Sequence, residues 1–175
     1  CDLMEGLMEA AMAMAPEVGA MPIAVSDSGR MEVARCLVQC AAFAKEMETQ
    51  SHLIHLNYEG DNFLPVHEFL KGQYEAHLEQ FDALAEFVRA MDFLMPLCAC
   101  GLKDAVNGFE NVTEADGRMM LMTYCRNLTQ AACMAGALER AAAASGQADV
   151  QNYAAELMGF SNKSAWFVKS TLRGC

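Results

Sequence analysis

Residues 52–77 read HLIHLNYEGDNFLPVHEFLKGQYEAH and hold all four histidines of the chain. Gly60 breaks the stretch and ends one helical pattern. Asp61 and Asn62 open another, in which Pro65 falls in the first turn. A proline there costs a helix little, because the N–H it lacks would have no intrahelical partner. Upstream, Val33, Leu37, Cys40, Ala44, Met47 and Ile54 recur at steps of three, four and seven, the stripe of a helix predicted over 30–58. Downstream, Val66, Leu70, Tyr74, Phe81, Leu84 and Val88 carry the same period through a second helix predicted to reach Met91 or Asp92. Two long amphipathic helices meeting at a tight corner set the architecture.

The rest of the chain extends the pattern. Pro96 marks a break, and residues 98–106 are expected to form a short helix ending near Asn107 and Gly108. Thr113 with Asp116 resembles a capping arrangement for a third long helix over 114–144, closed by Ser145 and Gly146. Asp149 is the expected cap of a fourth, ending near Arg173. The fold class is therefore all-α: a ferritin-like four-helix bundle with a short helix in the long crossover between helices 2 and 3. Residues 30–175 form the bundle domain. Residues 1–29 read as an N-terminal extension with a short helix over 3–15, broken by Pro16, Gly19 and Pro22.

Charge narrows the partners. Twelve Lys and Arg stand against 23 Asp and Glu, a formal net charge of −11. Phosphate backbones are gripped by Lys and Arg, so this balance argues against nucleic acid and toward metal cations. No stretch reaches the length of an apolar membrane span, and the acidic start of the chain does not read as a signal peptide. The eight cysteines suit a reduced, cytoplasmic setting, because a chain with 54% hydrophobic residues needs no disulfide staples. Cys36 and Cys40, one turn apart, read as small core residues. Cys98-Ala-Cys100 is a C-x-C pair without the second pair a zinc finger requires.

The candidate chemistry lies along the second helix and at the corner before it. His55 and His67 flank the turn closely enough to approach one another. Asp82 and Glu86 lie one turn apart on a stripe that also carries His67, Lys71 and Leu78. Imidazole with carboxylate suits ferrous iron. His67 and Asp82 are about 22 Å apart along one helix, too far to share an ion. Two such helices packed antiparallel across a two-fold axis would bring them together. His52 and His77 are expected not to ligate. Glu68, Glu75 and Glu79 read as solvated charges, and Met119–Met122 as core.

Two stretches resemble a known family. His55, Gly60, Phe63 and His67, followed by Asp82-Ala-Leu-Ala-Glu86, look like the signature of the Dps miniferritins, and residues 163–172 (KSAWFVKSTL) are similar to that family's last helix. The resemblance covers residues 31–173. It implies a homo-oligomeric, dodecameric cage that binds Fe(II) at dimer interfaces, oxidises it with peroxide or oxygen, and stores ferric mineral. His55 and His67 of one subunit with Asp82 and Glu86 of its mate would form the metal-binding and catalytic centre. It also suggests an interface role for Trp166, and for Asp149 and Glu156 a place at a three-fold entry pore, with plain capping and surface charge an equal alternative. Two positions depart from the pattern: Leu56 stands where the family often has Trp, and Lys71 where it usually has Asp. An ammonium near the site repels metal and cannot ligate while protonated. One expectation is a weakened centre holding one metal through the two histidines and Glu86. The alternative is a non-enzymatic cage, or a partner in a mixed cage, with its site silenced by Lys71. A DNA-protecting shell is disfavoured by the acidic balance.

Overall fold

One side of the first helix disappears from solvent: Val33, Ala34, Leu37 and Ala41 are fully buried. The computed structural model describes residues 27–173 except Asp61, and the expected extension helix over 3–15 lies outside the described residues. Among the described residues the helices are α1 (Asp27–Asn57), α2 (Phe63–Ala90), α3 (Ala99–Asp104), α4 (Gly117–Ala144) and α5 (Ala148–Arg173). α1 packs on α2 and α4, and α4 on α5, which gives a four-helix bundle with the short α3 in the crossover. No described helix is long and apolar enough to cross a membrane.

The core falls into two clusters along the bundle. Val33, Leu37, Leu84, Val88, Leu138 and Val150 fill one end. Phe43, Met47, Leu70, Tyr124, Leu128 and Val168 fill the end near the histidine corner. Small residues such as Ala41, Ala42, Ala135 and Gly136 are buried where helices approach closely. Cys40 behaves as a core residue, its thiol pushed up to about 12 by burial. Of the methionine stretch, Met120 and Leu121 are buried.

Helix ends differ from the sequence reading in several places: α1 and α2 stop short at Asn57 and Ala90, α3 spans Ala99–Asp104 rather than 98–106, and three starts move. α1 starts at Asp27, three residues early. α4 starts at Gly117, not Glu114: the cap is Asp116 itself, whose carboxylate accepts from Met119 N at 2.8 Å. Its first residue has to be glycine, since a Cβ at position 117 would sit 2.9 Å from the Glu59 carbonyl oxygen and from the Tyr58 ring. Asp149 lies inside the first turn of α5 rather than before it, where its charge still favours the helix N-terminus. Between α4 and α5, Gly146 takes the left-handed φ of 67° that ends the helix.

Before α4 the crossover is tied down by amides. Buried Asn127 donates to the Gln50 side chain (2.9 Å) and the Glu110 carbonyl (2.8 Å), and accepts from Glu110 N (3.0 Å). Gln50 donates to the same carbonyl at 2.8 Å. Removing one partner of such a set strands the others. Asn127→Ala should therefore lower stability by roughly 2–4 kcal/mol. Urea unfolding checks this, and a loss below about 0.5 kcal/mol would contradict it.

A second polar group lies deeper. His77 is 2% exposed and bonds Tyr124 Oη through Nε2 and Gln80 through Nδ1, each at 2.9 Å. Tyr124 donates to Gln73 at 3.0 Å. Burial pushes the His77 pKa down to about 4. The unfolded ring takes a proton more readily than the folded one. The stability His77 contributes is therefore whole above about pH 6.5 and lost as pH falls toward 4, a swing of about 3 kcal/mol. Unfolding free energies across pH 4–7 should show that slope in the parent and a shallower one in His77→Gln.

Candidate metal centre

The corner between α1 and α2 brings two histidines face to face. The His55 and His67 rings stack with centroids 3.6 Å apart and planes 21° from parallel. Each ring is held by the other residue's backbone. His55 Nδ1 lies 2.8 Å from the His67 carbonyl, and His67 Nδ1 lies 3.0 Å from the His55 carbonyl. A carbonyl oxygen only accepts, so both Nδ1 atoms carry hydrogen. In the neutral rings both lone pairs are then on Nε2, the atom free to ligate. Neither Nε2 has a hydrogen-bond partner among the described residues. His55 is buried in the corner, and His67 is half-buried beside the turn.

The same bonds finish a helix. The His55 carbonyl is among the last four of α1, which have no intrahelical donor, and the His67 ring supplies one. Aromatic neighbours brace the pair. Tyr74 meets His55 edge-on at 5.4 Å and stacks on exposed His52 at 4.1 Å. Phe63 packs against His67 at 5.1 Å. The sequence pattern alone shows Tyr74 only as one position in an apolar stripe. Its place seven residues after His67, two turns along one face, is the signal that joins it to the site.

The carboxylates are elsewhere. Asp82 and Glu86 are exposed further along α2. Among the described residues no three His, Cys, Asp or Glu side chains gather where they could hold a metal ion. Lys71 is exposed and pairs with Glu75 on its own helix, a contact that raises its pKa. Glu68, Glu79, Asp149 and Glu156 are also exposed. Apolar side chains crowd the outside of the corner: Leu53 is 55% exposed, Leu56 64% and Leu64 69%. Leu78, on the stripe between Lys71 and Asp82, is 51% exposed. Trp166 is exposed as well and packs on Phe167.

A family model for the ferritin-like domain matches residues 42–175. No curated protein sequence matches the chain. Among solved structures, antigen TpF1 from Treponema pallidum aligns with a TM-score of 0.80 at 21% identity, covering 87% of this chain and 99% of that one. The DPS protein from Vibrio cholerae O1, described as a member of a broad superfamily of ferritin-like diiron-carboxylate proteins, gives 0.79 at 16% identity, covering 90% and 99%. Dps from Thermosynechococcus elongatus gives 0.79 at 17%, covering 83% and 92%.

The reciprocal bonds make a testable statement about protons. Solid-state NMR of ¹⁵N-histidine-labelled protein at alkaline pH should show His55 and His67 protonated at Nδ1 and bare at Nε2. The opposite tautomer at either residue would contradict the geometry.

Proposed function

The chain belongs to the ferritin-like family, and from that premise we propose that it is a cage subunit that takes up Fe(II), oxidises it and stores the ferric product. The observation that carries the reading is the pair of Nδ1-anchored imidazoles at one corner, with no third ligand gathered beside them among the described residues. Two imidazoles alone hold Fe(II) weakly, and carboxylate oxygen is the natural complement. Asp82 and Glu86 supply it from a second copy when two α2 helices cross antiparallel about a two-fold axis. Exposed Leu53, Leu56, Leu64 and Leu78 support such a contact, because they put apolar surface around both halves of the site. A dodecamer of this kind keeps each centre at a subunit interface.

The substrate is the metal ion itself. The histidines hold it, and the Nδ1–carbonyl bonds keep their rings from turning. The partner's carboxylates would offset charge as Fe(II) becomes Fe(III), and the electron passes to hydrogen peroxide or dioxygen. The acidic surface raises the local concentration of cations.

Lys71 favours a second reading. It lies one turn beyond His67 on the same face, and a cation there opposes metal. Its contact with Glu75 partly offsets that charge. On this account the centre holds one iron through His55, His67 and Glu86, and in the limit the cage keeps its shape without the chemistry.

Fe(II) oxidation by the assembled protein, with peroxide and with oxygen, separates these. The parent should oxidise iron above the buffer rate and retain mineral. His67→Ala should lose more than ~10-fold in metal affinity, and Lys71→Asp should gain ~10-fold or more. A parent at the buffer rate with activity restored in Lys71→Asp establishes the silenced cage. Inactivity in both removes the iron reading.

A further inference from the structure

Cys98 and Cys100 play no part in the metal centre. They lie at the start of α3, and both are exposed. Cys98 has extended backbone (φ −143°, ψ 160°) that turns its sulfur back over the helix, where Sγ accepts from Gly101 N at 3.3 Å. The sulfur lies against Gly101, within 3.6 Å of where a Cβ would be. Cys100 stands two residues on, near enough for the two side chains to act on one another. That interaction, and then the Gly101 N–H, holds the Cys98 thiol below its ordinary range, with Asp104 opposing. The same interaction holds Cys100 above it.

The other described cysteines lack this arrangement. Cys40 and Cys125 are buried and raised by burial, and Cys36 is raised by burial and by the Glu32 carboxylate. Cys133 is exposed with no sulfur partner among the described residues.

We propose that Cys98 and Cys100 form a peroxide-reactive dithiol, with Cys98 the attacking sulfur and Cys100 the one that resolves it. Cys98 as thiolate attacks one oxygen of hydrogen peroxide. The O–O bond breaks, hydroxide leaves and takes a solvent proton, and Cys98 becomes a sulfenic acid. Cys100 then attacks the Cys98 sulfur. The S–S bond forms, the S–O bond breaks, and the departing hydroxide takes the Cys100 proton. Two thiols and one peroxide give one disulfide and two waters: the sulfurs lose two electrons and the peroxide gains them. The activity is independent of the iron reading and needs no metal.

The test is one equivalent of hydrogen peroxide added to the iron-free assembled protein, followed by peptide mass spectrometry. The expected result is loss of two hydrogens from the single peptide carrying both cysteines, reversed by a dithiol reductant. In Cys100→Ser, dimedone should trap a sulfenic acid at Cys98. In Cys98→Ser, peroxide consumption should fall at least ~10-fold, to that of an unactivated thiol. Both side chains are exposed, so neither variant disturbs the core. Oxidation falling first on Cys133 or Cys36, disulfides linking separate chains, or no loss of hydrogen at this peptide would each overturn the proposal.

Discussion

The reciprocal bonds between His55 and His67 join the fold to the site. Each Nδ1–H closes on the other residue's carbonyl, so the α1–α2 corner is held by the rings that would hold a metal. The carbonyl of His55 needs a donor because its helix ends two residues later. Satisfying it with an imidazole fixes the ring's rotation and its tautomer together. The corner therefore cannot loosen without misplacing Nε2, and a ligand cannot move without exposing a helix end. Tyr74 and Phe63 add ring contacts on either side that restrict the remaining torsions.

Much of this was legible in the primary structure, for reasons that lie in particular residues. The period of Val33, Leu37, Cys40, Ala44 and Met47 is a local property, and all five are buried. The histidine corner was legible because Gly60 and Pro65 punctuate it. The start of α4 was not. Thr113 and Asp116 look like two ends of one capping motif, and nothing local distinguishes them. The choice is made by contacts distant in sequence: the Asn127 and Gln50 amides hold Glu110 across the bundle, and Tyr58 meets the chain at Gly117. The hydrogen-bonding role of His77 was hidden for the same kind of reason, since Tyr124 is 47 residues away.

Lys71 shows how far a single chain decides chemistry. On α2 alone it is an ordinary exposed lysine paired one turn along with Glu75. Its effect on a metal depends on what faces that helix. If the partner's Asp82 and Glu86 arrive there, as the antiparallel arrangement requires, the ammonium has a choice of three carboxylates, and its preference sets how much negative charge is left for the metal. A substitution that is neutral within the subunit becomes decisive at an interface.

The bundle interior also gathers polar side chains, and its donors argue against iron chemistry there. Gln73, His77 and Tyr124 occupy the space between helices, with two amides or phenols for one imidazole and no carboxylate bonded among them. Hard Fe(II) and Fe(III) call for charged oxygen, which these residues do not offer. Burial also disfavours new charge at His77, whose two nitrogens are already engaged by Gln80 and Tyr124. Opening that set to an ion would strand buried polar atoms and cost stability at once. At the surface corner the balance is reversed. Two imidazoles keep Nε2 clear of any hydrogen bond to a described residue, the carboxylates that would complete them on the proposed reading are exposed along α2, and apolar side chains flank the corner. Packing thus engages the polar groups of the core with one another, and on the proposed reading the α2 face is where two subunits would build a centre together.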